Sequence, residues 1–223
     1  MSLPYWHFAH NFRVLKHALE LKKLDDIFKY NARLLTPGID ISGLLRAEIV
    51  FAVSALDQFI HAVLICKAMD ILKNRKPQSA SFYKLTIGLN SVSLFLDNTN
   101  TIDAFPIIEK EIRTNLGWKS FQQPDKIAEA LKMVCDKRIW DQVSGIMGIS
   151  TQTLKEQLKL IVKRRDSIAH EADFDLVNQC QYPIDRINAK KSVNFIISLV
   201  YAIDSIVFDY VYNQANVNRY LIT

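Results

Sequence analysis

The run Lys163-Arg164-Arg165-Asp166-Ser167-Ile168-Ala169-His170 brings together the residue types in this chain best suited to chemistry. A guanidinium is a fork of donors that fits an oxyanion, and an imidazole carries a proton near neutral pH. Spacing decides which of them can meet. Asp166 and His170 are four apart, so on a helix they share a face and can touch. Arg165 and His170 are five apart, which turns them about 140° from one another on a regular helix. They converge only where the helix ends near His170 or where a second subunit supplies the partner. The plainer alternative is a helix end with ordinary surface charges, in which Asp166 and His170 form a routine i,i+4 pair. An arginine and a histidine at this spacing match many chains by chance.

The helix that carries this run opens at Ser150-Thr151-Gln152-Thr153, where several hydroxyls are available to cap, and apolar residues recur at 154, 158, 161, 162 and 168. That recurrence is a helical stripe, and Arg165 falls near its middle. A guanidinium there needs a partner, because burying it unpaired is very costly. Lys155, Lys159 and Lys163 repeat on the opposite side. The helix is expected to fray after His170, since Asp173-Phe174-Asp175 and Tyr182-Pro183 read as loop.

The surrounding pattern is helical almost throughout. An amphipathic segment from Tyr5 to Leu35 stops at the breaker Thr36-Pro37-Gly38. A long apolar helix is expected from Ser42 to Asn74, with Ser42 as its cap. The apolar stretch Phe82 to Phe95 leads into a polar turn at Asp97-Asn98-Thr99-Asn100. Helices follow over Ile107 to Leu116, from Pro124-Asp125 through Val134, around Trp140 and Val143, and finally from Arg186 to Tyr212. No internal repeat, low-complexity tract or cleanly alternating strand interrupts them. The fold class is all-α, a helical bundle over residues 37–223 preceded by a helical extension over residues 1–36.

Other groupings carry less. His7, His10 and His17 fall on one helical face, but no cysteine or carboxylate completes a metal set there, and Trp6, Phe8 and Phe12 surround them. They read as packing partners of aromatics. Asp57 and His61 lie four apart in the first buried helix, where each can satisfy the other. Phosphate-loop, dinucleotide, zincin and hydrolase-elbow motifs are lacking, so neither a metal nor a cofactor is expected.

Composition bounds the rest. The 223 residues are 49% hydrophobic and 23% charged, enough for a core and too apolar for disorder. Six glycines and six prolines are too few for a turn-rich β fold. The charge of +5 leans only mildly toward anionic partners. Cys66, Cys135 and Cys180 are odd in number and scattered, which fits a reduced cytosol better than a disulfide framework. The first residues lack a signal-peptide pattern. The apolar stretches Ile49 to Ile65 and Val193 to Val211 carry Asp57, Asp204 and Asp209 among their polar residues. A mid-span carboxylate costs about 2.5–3.5 kcal/mol in a bilayer, so both read as core helices of a cytoplasmic, membrane-free protein.

At these residues the sequence resembles the HEPN domain superfamily, and within it the RiboL-PSP-HEPN group. HEPN domains are all-α bundles marked by an arginine, then a polar residue, then a histidine after four to six intervening positions; Arg165-Asp166-Ser167-Ile168-Ala169-His170 fits. Leu45-Arg46-Ala47-Glu48, Ser54 to His61, Phe121 to Ile127 and Ala169 to Asp173 are similar to the group as well, and the likeness covers Ile41 to Tyr212. The group's usual asparagine after the arginine is Asp166 here.

The resemblance implies a metal-independent endoribonuclease, in which the RNA 2′-hydroxyl attacks the adjacent phosphorus. By that analogy His170 moves the proton, Arg165 holds the phosphate and its growing charge, Asp166 orients His170, and Lys163 and Arg164 follow the RNA backbone. It further implies a homodimer whose two motifs share one cleft, a toxin or antiphage role, and an antitoxin-like protein partner. A non-catalytic HEPN module that binds nucleotide, RNA or protein is the alternative.

Overall fold

A computed structural model describes residues 42–76, 79–98 and 105–209. The expected N-terminal helical extension, its histidines His7, His10 and His17, and the chain beyond Asp209 lie outside the described residues. Seven α-helices are present among those described: α1 (Ser42–Lys73), α2 (Leu89–Asn98), α3 (Phe105–Leu116), α4 (Pro124–Lys132), α5 (Ile139–Met147), α6 (Thr151–Glu171) and α7 (Arg186–Phe208). The chain divides into two compact units: the described parts of Met1–Leu56 and Trp140–Thr223, and Asp57–Ile139. The fold is all-α, as the helical periodicity and the scarcity of glycine and proline require.

The unit that carries the arginine–histidine run is built from the first part of α1 with α5, α6 and α7. Each contributes a fully buried apolar stripe: Val53 and Leu56 from α1, Val143 from α5, Leu154 and Leu158 from α6, Leu199 and Ile203 from α7. In the other unit the buried set includes Phe59, Ile60 and Leu64 of α1, Ile112 of α3, and Ile127 and Leu131 of α4. α1 and α7 are long and apolar enough to cross a membrane, but most of the apolar window of each is buried within the protein, as in a core helix.

Helix ends follow their local chemistry. Ser150 has an extended backbone, and its Oγ accepts a hydrogen bond from the Thr153 N–H at 3.1 Å, which caps α6. Ser150→Ala is expected to destabilise the fold by about 1 kcal/mol, measured as a lower unfolding midpoint in urea. Asp185 caps α7 by accepting from the Asn188 N–H at 2.8 Å. That bond and others to Asn188 and Ile187 hold the Asp185 carboxyl below its ordinary pKa.

Three local differences from the sequence reading have physical causes. The Phe82–Phe95 stretch is a short 3-10 turn over Phe82–Lys84, then extended chain into α2. Ser79 Oγ accepts the Phe82 N–H at 3.1 Å and Glu111 Oε1 the Gly88 N–H at 3.3 Å, so side chains take backbone donors that a continuous helix would use. Donors from Ser91, Gly88 and Asn115 also lower the Glu111 pKa. Asp97 and Asn98, expected in a turn, close α2 instead. Finally, the expected loop after α6 contains a two-residue antiparallel ribbon, β1 (Phe174–Asp175) with β2 (Cys180–Gln181), pairing Phe174 with Gln181 and Asp175 with Cys180.

Candidate active site at the end of helix α6

α6 stays helical through Glu171. Arg165 and His170 therefore remain about 140° apart around one axis, and one copy of the helix does not aim both at a single point. His170 is exposed in the last turn and, among the described residues, no hydrogen bond or ion pair engages it. Arg165 is half-buried, with its side chain 15% exposed, and Nη1 lies 3.0 Å from Asp166 Oδ1. Its Nε is buried without a hydrogen-bond partner among the described residues. The expected Asp166–His170 pair is thus replaced by an Arg165–Asp166 pair, in which the carboxylate sits beside the guanidinium placed in the apolar stripe. Lys163 is exposed on the solvent side, as the four-residue spacing implies.

Arg164 faces a different environment. Its Nη2 donates to Asp173 Oδ2 at 2.7 Å and to the Pro183 carbonyl at 3.1 Å, and its guanidinium lies 5.6 Å from the Tyr182 ring centre. Asp173 is completely buried. The same Oδ2 accepts from Arg46 Nε at 2.7 Å, and Arg46 Nη2 reaches the Tyr182 carbonyl at 2.8 Å. One carboxylate thus joins two guanidiniums, one from the start of α1 and one from α6. Charge-assisted bonds of this length are the strong ones.

The backbone at this junction is strained. Ala172 and Asp173 have φ of 51° and 57°, and a left-handed residue with a Cβ costs about 1–2 kcal/mol. The Asp173 N–H donates to the Ser167 carbonyl at 3.0 Å, and the Tyr182 N–H to the Asp173 carbonyl at 2.8 Å. Beyond it, Asp175 accepts from the Asn178 side chain at 2.7 Å and the Val177 N–H at 2.8 Å, which lower its carboxyl pKa.

Sequence reasoning gave Arg46 and Asp173 no role. The signal was present: an arginine between Leu45 and Ile49 in an apolar run, and an acid three residues after His170. A buried charge calls for a partner, but a separation of 127 residues hides which one.

Asp57 and His61 form a separate structural knot. Asp57 Oδ1 accepts the Phe121 N–H at 2.5 Å, His61 Nε2 lies 3.0 Å from the Lys119 carbonyl, and the imidazole packs against the Phe121 ring, tilted by 53° with the centroids 4.6 Å apart. The two side chains approach each other to 4.0 Å. Both are thereby committed to holding residues 119–121. No cluster of three or more metal-ligating side chains occurs among the described residues.

A family model, RiboL-PSP-HEPN, matches residues 14–209. The match begins earlier than the likeness seen in the sequence, which started at Ile41. No curated protein and no solved structure matches the chain. Matched over most of its length and all-α in fold, the chain belongs to the RiboL-PSP-HEPN family of HEPN domains.

Proposed function

We propose that the protein is a metal-independent endoribonuclease that cleaves RNA by attack of the 2′-hydroxyl on the adjacent phosphorus. The observation that carries this reading is an exposed imidazole, His170, without a partner among the described residues, five residues on from the half-buried guanidinium of Arg165. An unengaged imidazole is free to exchange protons with a bound ligand. A guanidinium can stabilise charge on a phosphate. The divergence of the two side chains around α6 is resolved in a homodimer, where the motif of each copy completes the other. Two-fold pairing is the commonest soluble assembly, and Phe51, Leu160 and Ile187 leave exposed apolar surface on α1, α6 and α7 for a protein partner, either a second copy or an antitoxin-like protein. Such a nuclease suits a toxin or antiphage role in the cytoplasm.

One observation favours the non-catalytic alternative, a module that binds RNA, nucleotide or protein. Asp166 already occupies the Nη1 edge of Arg165, and its charge opposes an incoming phosphate. Asp166→Asn distinguishes the two readings. In a nuclease it leaves cleavage within about tenfold of the parent or raises it, since the amide keeps an acceptor beside Arg165 while removing the repulsion.

The experiment is RNA cleavage in the presence of EDTA with analysis of the product ends. Cleavage persists in chelator and leaves 2′,3′-cyclic phosphates, and an RNA with 2′-deoxyribose at the cleaved position is inert because its nucleophile is gone. Binding of RNA without cleavage under any of these conditions transfers the assignment to the binding module.

A further inference from the structure

Two consecutive left-handed residues other than glycine persist only where their surroundings hold them. At Ala172 and Asp173 that hold combines the backbone bonds of Asp173 to Ser167 and Tyr182 and the Gln181 side chain on the Ala172 carbonyl with the Asp173 carboxylate, buried and shared by Arg46 and Arg164 at 2.7 Å each. The same guanidiniums continue to the carbonyls of Tyr182 and Pro183, so the segment that leaves α6 and the segment that returns from the ribbon are tied at one point. His170 sits three residues before that point, in the final turn of α6. Among the described residues no partner of its own fixes it, so the direction of the imidazole depends on where the turn is held. Arg164, one residue from Arg165, turns its guanidinium into this tie.

We propose that Asp173 and Arg164 are positioning residues for His170, acting through the end of α6 and not through RNA. The proposal rests on His170 being the proton carrier of the ribonuclease reading. It removes Arg164 from the set that follows the RNA backbone and leaves Lys163 there. Misplacing a reacting group by about 1 Å can cost about 10²-fold in rate, so loosening the tie acts on turnover while leaving phosphate contacts intact.

The test compares the full chain with Arg164→Lys, Asp173→Asn and His170→Ala. Arg164→Lys keeps a cation beside Asp173 and serves where Asp173→Asn does not fold. Three readouts are taken: single-turnover cleavage at saturating RNA, affinity for a 2′-deoxy-blocked RNA across a salt series, and the His170 ring resonances by NMR. Arg164→Lys and Asp173→Asn are expected to cleave about 10- to 100-fold more slowly, with blocked-RNA affinity within about twofold and an unchanged salt slope, and with His170 resonances displaced. Full cleavage with unmoved resonances overturns the positioning role, even where His170→Ala is inactive and the ribonuclease reading stands. Weaker binding by a further variant that removes the cation, Arg164→Gln, with a salt slope smaller by about one and unchanged turnover, assigns Arg164 to the RNA backbone and also overturns it. Where the parent cleaves no RNA, the ribonuclease reading fails separately, and displaced or unmoved His170 resonances still decide for or against the tie.

Discussion

His170→Ala is expected to lower the rate of RNA cleavage by about 10²–10⁴, the share that a general acid–base group supplies. The expectation follows from exposure and the lack of a partner among the described residues, because a histidine committed to the fold would lose stability instead of rate. His170 is exposed and, among the described residues, unbonded, so its replacement removes a proton carrier and little packing. The thermal midpoint of His170→Ala therefore stays within about 1 °C–2 °C of the parent, the range of a neutral surface substitution. Arg165→Lys should also fail substantially. A lysine keeps the charge but cannot reproduce the planar fork that grips two phosphate oxygens, and it would have to fill a half-buried place in the α6 stripe. Single-turnover assays on a fluorescent RNA, with circular dichroism of each variant, separate loss of chemistry from loss of fold. If both variants cleave at the parent's rate, Arg165 and His170 are not the catalytic pair, and the binding-module reading takes over.

The helices were legible because their cause is local. The recurrence of apolar residues at 154, 158, 161, 162 and 168 with a capping Ser150 defines α6 from sequence alone; the first four are buried and Ile168 only partly so. The position of Arg165 in that stripe likewise foretold a half-buried guanidinium. The partners of the charged residues were not legible. Asp166 had two neighbours within reach, His170 one turn on and Arg165 beside it, and helical spacing favoured the first. The stripe decided for the second, since a guanidinium drawn toward the core needs a counter-charge more than an exposed imidazole does. The resemblance placed Arg164 along the RNA backbone, yet its partner Asp173 follows a helix end whose left-handed geometry no local preference for glycine announces. The ribbon at Phe174–Gln181 was hidden for a related reason: two-residue strands are too short to show alternation.

Arg46→Ala is expected to be among the most destabilising single substitutions in this unit, at about 3 kcal/mol or more, because it removes one partner of a buried ion pair. Arg46 is 7% exposed and its partner Asp173 is not exposed at all. Truncation leaves the carboxylate with Arg164 alone, withdraws the Nη2 donor from the Tyr182 carbonyl, and opens a void the length of an arginine stem. The remaining contact to Arg164, whose side chain is 29% exposed, keeps the loss toward the lower end of the range for buried pairs. Arg113→Ala provides the contrast. Its ion pair with Glu109 is nearly as short, at 2.9 Å, but both side chains are about half exposed, so solvent and salt screen it and its loss is worth about 0–1 kcal/mol. For a chain of this size, about 3 kcal/mol corresponds to a fall of roughly 6–12 °C in the thermal midpoint, against at most a few degrees for Arg113→Ala. An Arg46→Ala protein that melts within a few degrees of the parent would show that the Asp173 carboxylate does not need its second guanidinium, and the end of α6 would have to be held by Arg164 and the ribbon alone.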